Sequence, residues 1–171
     1  RLLIKSEELH FYGSRGPCGR FVPPKFLRIV AWLQTAAVSL WRSVRLLLHC
    51  GQTQFTYGQI HHLLTGNIGS CFGGEHANHQ LQTGVQPSLC FASEKFLMIE
   101  QVSKLTVNGG AWGLGLIEGH KQLAPDHWYF PCHFKGDQVM AGSLMAEGCG
   151  QLLQFFMLHI GMHTLVSNGR F

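Results

Sequence analysis

Hydrophobic and polar positions along the chain predict a few elements and leave the first 25 residues without any. Gly13, Gly16, Pro17, Gly19, Pro23 and Pro24 break every period there, so residues 1–25 read as loop. Phe26–Leu48 reads as a helix. Its longest uncharged run, Ile29–Trp41, is 13 residues, and Arg42 and Arg45 interrupt the remainder. A membrane span needs about 20 apolar residues, so this segment predicts a packed or interfacial helix and no integral membrane span. Tyr57–Leu64 predicts a short helix closed by Gly66, followed by a loop over Gly73–Pro87.

Phe96–Val107 is rich in β-branched and aromatic residues and predicts a strand. Asn108-Gly109 is a strong hairpin signal, with Ala111–Lys121 as the partner strand. Gly113 and Gly115 fall on one face of that partner. Glycines there weaken a strand unless another element comes close, so a helix is expected across that face. Leu144–His163 supplies it. Leu144, Met145, Leu152, Leu153, Phe155, Phe156, Leu158 and Ile160 leave no wide polar face, which predicts a helix buried within a sheet. Glu147 and Gln151 are its polar exceptions, four residues apart and therefore on one side.

Composition adjusts this picture in three ways. With 171 residues, 46% hydrophobic and 13% charged, the chain is long enough for one domain with a real core. The net charge of +4 divides unevenly. Residues 1–50 hold eight Lys/Arg against Glu7 and Glu8, a net +6, and the remainder is −2. The basic excess therefore sits apart from the candidate chemistry, and no aromatic and basic interleaving suggests a nucleic-acid partner. The six cysteines form no CxxC pair, which favours reduced thiols and a cytoplasmic location over a disulfide scaffold. No signal-peptide pattern opens the chain. The absence of an initiator Met and the end at Phe171 read as a piece of a longer protein.

The chemistry is concentrated between Trp128 and Gln151. A histidine closes what reads as an extended aromatic run, and a loop leads to Ala141-Gly142. A helix start comes next, with a carboxylate in its first turn and an amide one turn on. Free N–H groups at that start, approachable at Gly142, can bind a carbonyl oxygen and stabilise enolate-like charge. His133 can accept a proton near neutral pH. Glu147 on an apolar helix can serve as an acid, held by Gln151. The His159/His163 pair has metal-permitting spacing but lacks an HExxH pattern or a nearby carboxylate, and reads as packing. His61, His62, His76 and His79 lie in polar sequence and read as solvated. Cys132 and Cys149 read as small core residues. Gly113, Gly115 and Gly119 open no helix and form no dinucleotide loop.

Cys132-His133-Phe134, Gly136-Asp137, Val139-Met140, Gly142-Ser143-Leu144, Glu147 and Gln151 resemble the active-site signature of bacterial 3-hydroxyacyl-acyl-carrier-protein dehydratases. Both the step from His133 to Glu147 and the step to Gln151 match. The segment looks most like the dehydratase domains inside multidomain polyunsaturated fatty acid synthases, and Thr65–Gly73 is similar to their entry segment.

The resemblance implies an α+β hot-dog fold, an antiparallel sheet wrapped round a central helix, with C-terminal strands missing from this chain. It covers roughly Phe55–Phe171, which reads as a partial hot-dog dehydratase domain over 53–171 and leaves outside it a basic N-terminal segment of unknown role with one apolar helix, residues 1–50. His133 and Glu147 become the catalytic pair, supported by Gln151, the Gly142 N–H as oxyanion donor and the Val139 carbonyl orienting the imidazole. No cofactor is implied beyond the phosphopantetheine that carries the substrate. The implied partners are an acyl carrier protein and a second hot-dog protomer or tandem domain that shares the site. The implied reaction is dehydration of a 3-hydroxyacyl thioester to the trans-2-enoyl thioester. A non-catalytic half-domain and a hot-dog acyl thioesterase are the alternatives. Related decanoyl enzymes have Asp at the Glu147 position, and Gln138 and Ala141 replace two prolines common in the loop.

Overall fold

The computed structural model describes residues 2–5, 26–35, 45–111 and 113–165. Two strands, β1 (Leu2–Lys5) and β2 (Phe26–Thr35), come first. Three short helices come next, α1 (Tyr57–His61), α2 (Ile68–Phe72) and α3 (Gly74–Thr83). The hairpin strands β3 (Gln101–Thr106) and β4 (Leu116–Gln122) precede the long helix α4 (Gly142–His159). The sheet runs β1-β2-β4-β3 with every neighbour antiparallel.

The first two strands correct the reading of the N-terminal segment. Leu2–Lys5 is strand where loop was expected, and Phe26–Thr35 is strand where a helix was expected. Residues 36–44 of that expected helix lie outside the described residues, and 45–48 are not helical. The reason is tertiary. β4 offers an edge of unpaired backbone groups, and Phe26 to Trp32 fill it in register with Gln122 to Leu116. A short apolar run containing Ile29 and Val30 suits either state by periodicity, and the open edge decides.

The hairpin exists but is wider than two residues. Gly109 N–H bonds Thr106 O at 3.1 Å, as an Asn-Gly turn suggests, yet pairing resumes only at Leu116 opposite Thr106. β4 therefore starts later than the expected Ala111, and Gly113 lies in the loop instead of on the strand face.

The expected close approach of a helix is found at Gly115, and at Gly119 in place of Gly113. A Cβ on Gly115 would lie 2.5 Å from Phe156 Cζ, and one on Gly119 would lie 2.6 Å from Leu152 Cδ2. Both partners belong to α4 and are almost wholly buried. Ile117, between the glycines on the same strand face, is buried too. The core extends from this contact to Phe55, Phe72 and Phe155, whose rings meet edge to face at 5.0–5.4 Å.

The region read as a loop after Gly73 contains α3. It has almost no apolar stripe because polar hooks dock it. His76 is 1% exposed, and its Nε2–H donates to Leu158 O at 3.1 Å. Gln80 accepts from Gly69 N–H at 2.7 Å and donates to Asn67 at 2.8 Å. His76 is thus a core residue and not the solvated histidine that its polar neighbours suggested.

α4 begins two residues before the expected start and ends four before the expected end. Gly161, at φ 82, stops it, and the chain continues as a 3-10 turn over Met162–Leu165. A side chain at 161 would collide with the backbone of Leu48, whose neighbour Leu47 N–H bonds Ile160 O at 2.9 Å. Among the described residues no helix is long and apolar enough to cross a membrane.

Candidate active site

The approach to His133 is a chain of turns, not the extended run expected. His127 N–H bonds Ala124 O, Phe130 N–H bonds His127 O, and His133 N–H bonds Phe130 O, at 3.1–3.2 Å. The cause is packing. Tyr129 and Phe130 are sequence neighbours and both are buried. An extended strand would send them to opposite faces, whereas successive turns bring both inside.

Beyond His133 the chain doubles back. Phe134 and Asp137 exchange backbone hydrogen bonds across Lys135-Gly136, with Gly136 at φ 82. Val139 N–H then bonds His133 O at 3.0 Å. The Val139 carbonyl meets His133 Nδ1 at 3.2 Å, as the resemblance suggested. A carbonyl can only accept, so Nδ1 carries the hydrogen. In the neutral ring this leaves the Nε2 lone pair free to take a proton. The imidazole is half-buried and stacks on Phe134, with ring centroids 3.9 Å apart.

Ala141, whose side chain cannot cap, precedes α4. Its carbonyl accepts from Leu144 and Met145 at 3.0 and 3.2 Å. Gly142 is exposed, and a Cβ there would meet nothing nearer than Met145 Cε at 3.8 Å. The first amides of the helix are therefore approachable, in the region where its dipole is positive.

Because α4 starts at Gly142, Glu147 falls in the second helical turn and not the first. Glu147 is half-buried, and its Oε1 accepts from Gln151 Nε2 at 2.9 Å. Gln151 is 1% exposed and fully engaged. Its Oε1 accepts from Met98 N–H at 2.8 Å, and Nε2 also donates to Phe96 O at 3.0 Å. Because Met98 N–H can face only an oxygen, the orientation of the amide is fixed. Both Nε2 hydrogens are used, one of them on Glu147 Oε1 and the other on Phe96 O.

The structure thus joins His133 to Val139 and Glu147 to Gln151. Among the described residues no hydrogen bond or ion pair links His133 to Glu147 within the chain. Sequence reasoning missed the Phe96–Met98 strap that holds Gln151. Its contacts to the amide are backbone groups, which leave no side-chain signature.

His159 and His163 pack in the core, as their spacing without a carboxylate suggested. His159 bonds Gln52 O at 3.2 Å, and the His163 ring stacks against His76 at 6.0 Å. Burial lowers the pKa of His76, and lowers those of His159 and His163 to about 4. Burial raises the Cys149 thiol, while Cys132 is exposed instead of in the core. His61 is partly exposed and His62 exposed.

A four-stranded antiparallel sheet laid against one long buried helix has the layout of a partial α+β hot-dog fold. Residues 91–171 match the FabA-like domain, a span that contains every residue of the His133–Gln151 site. That stretch of the chain is thus similar to the FabA-like domain. Over 112 residues, 66% of the chain, it is 41% identical to one of the subunits of the polyunsaturated fatty acid synthase of Thraustochytrium sp.. The chain spans 7% of the length of that relative.

Proposed function

We propose that the chain supplies the acid–base machinery for dehydrating a 3-hydroxyacyl thioester in fatty acid or polyunsaturated fatty acid biosynthesis. The substrate is carried on the phosphopantetheine of an acyl carrier protein and leaves as the trans-2-enoyl thioester. The observation that carries this reading is the His133 Nδ1 contact to the Val139 carbonyl, 3.2 Å, which leaves Nε2 as the base. Nε2 takes the α-proton, and the thioester oxygen gathers charge against the Gly142 N–H. The C–O bond to the 3-hydroxyl then breaks as Glu147 delivers a proton, and water departs. The elimination is redox-neutral, so the reading calls for no redox cofactor.

Because no hydrogen bond or ion pair joins His133 to Glu147 among the described residues, the reading includes a second hot-dog protomer or tandem domain that completes the site. A cytoplasmic setting belongs to the same reading. The relative is part of a polyunsaturated fatty acid synthase, which supports the biosynthetic assignment.

Incubation with a 3-hydroxyacyl thioester, followed by enoyl absorbance, tests this. Loss of general acid or base catalysis in His133→Ala or Glu147→Gln should lower kcat/KM by about 10²–10⁴-fold. Unchanged turnover in His133→Ala assigns catalysis to a neighbouring domain and makes this one a structural half. Release of free thiol instead of enoyl product identifies a thioesterase.

A further inference from the structure

The strap that holds Gln151 is itself steadied from outside. The indole N–H of Trp128 donates to Lys95 O at 2.9 Å, and its ring stacks on Phe96 with centroids 6.0 Å apart and planes at 27°. The Lys95 ammonium lies 5.7 Å from the centre of the same ring. Leu97 and Met98 anchor one end of the strap in the core. Phe96, whose carbonyl receives the Gln151 amide, is 36% exposed, so the core does not fix it. The stack with Trp128 limits its movement.

We propose that Trp128 is a positioning residue for Glu147, acting through the Lys95–Phe96 backbone and the Gln151 amide. The path is continuous: indole to Lys95 carbonyl, Phe96 carbonyl to Gln151 Nε2, and the same Nε2 to Glu147 Oε1 at 2.9 Å. Trp128 also lies within the run of turns that ends at His133. One segment therefore carries the base and steadies the acid. The role of Glu147 as acid rests on the dehydratase reading; the mechanical link to Gln151 does not.

Trp128→Phe keeps a stacked ring and deletes only the indole N–H, while Trp128→Leu removes both contacts. Two readouts are needed on the chain, alone and with Gln151→Ala. The first is hydrogen exchange of the Gln151 side-chain amide, assigned by its disappearance in Gln151→Ala and referenced to the Gln80 amide. Trp128→Phe should speed exchange at Gln151 and leave Gln80 unchanged, with a larger effect for Trp128→Leu.

The second readout is turnover. Misplacing the acid by a fraction of an ångström should cost about 3–10-fold in kcat with little change in KM. In the Gln151→Ala background the same substitutions should cost nothing further. Unaltered Gln151 exchange, or a kcat loss that is equally large without Gln151, overturns the proposal. If exchange responds and no variant, wild type included, forms enoyl product even within the complete parent protein, the link stands and the dehydratase reading falls.

Discussion

Acidification should unfold this chain through its buried histidines, and their geometry sets the size of the effect. His76, His159 and His163 are 1%, 1% and 7% exposed, and each has a buried Nδ1 without a hydrogen-bond partner among the described residues. His76 and His163 line a void of about 10 Å³, room for at most one water. Burial disfavours the imidazolium, so the folded pKa values of His159 and His163 fall to about 4. In the unfolded chain a histidine titrates near 6.5. Above about pH 6.5 both states hold the ring neutral and nothing is lost. As pH falls from there towards 4, only the unfolded state gains protons, so stability drops, and it levels off below the folded pKa.

Between pH 7 and pH 5 each of these two groups contributes a loss of about 2 kcal/mol, on the order of 4 kcal/mol together. His76 is shifted in the same direction and adds to it. Against a typical domain stability of about 5–15 kcal/mol this is a large fraction. Urea unfolding followed by circular dichroism at pH 7, 6 and 5 measures it. His163→Phe fills a similar volume without a titrating ring and should remove about 2 kcal/mol of the pH 7 to 5 difference. An equal drop in wild type and His163→Phe would refute the reasoning.

Two other outcomes are expected of the sheet. Gly119→Ala would place a methyl 2.6 Å from Leu152 Cδ2 and 3.3 Å from Gln101 O. Overpacking of this kind should cost about 1–3 kcal/mol, read as a lower melting temperature, and an unchanged value would contradict the packing described. Glu100 accepts from Lys121 at 2.6 Å and from Gln122 N–H at 3.0 Å, tying β3 to β4. Glu100→Gln should cost about 1 kcal/mol in urea unfolding, and the difference from wild type should shrink at high salt.

Local chemistry set how much the sequence could show. The pairing of His133 with Val139 and of Glu147 with Gln151 was legible because each contact needs a particular group at a fixed spacing. The His133 contact to Val139 lies within one loop, and Glu147 to Gln151 spans one helical turn, so the residues forming each contact are close in sequence. The buried character of α4 was legible from its unbroken apolar composition. The close approach of α4 was legible at Gly115, but the sequence paired that glycine with Gly113, which lies in the loop, and not with Gly119.

Tertiary structure decided the rest. Phe26–Thr35 is strand because β4 presents an unpaired edge, a condition absent from its own residues. α3 was hidden because His76 and Gln80 fasten it by hydrogen bonds, and periodicity detects only apolar anchors. The Phe96–Met98 strap was hidden because its bonds to Gln151 come from peptide groups that every residue possesses. A sequence by itself determines the chemistry of side chains and their local spacing; only the fold decides which backbone groups meet them and which edges must be filled.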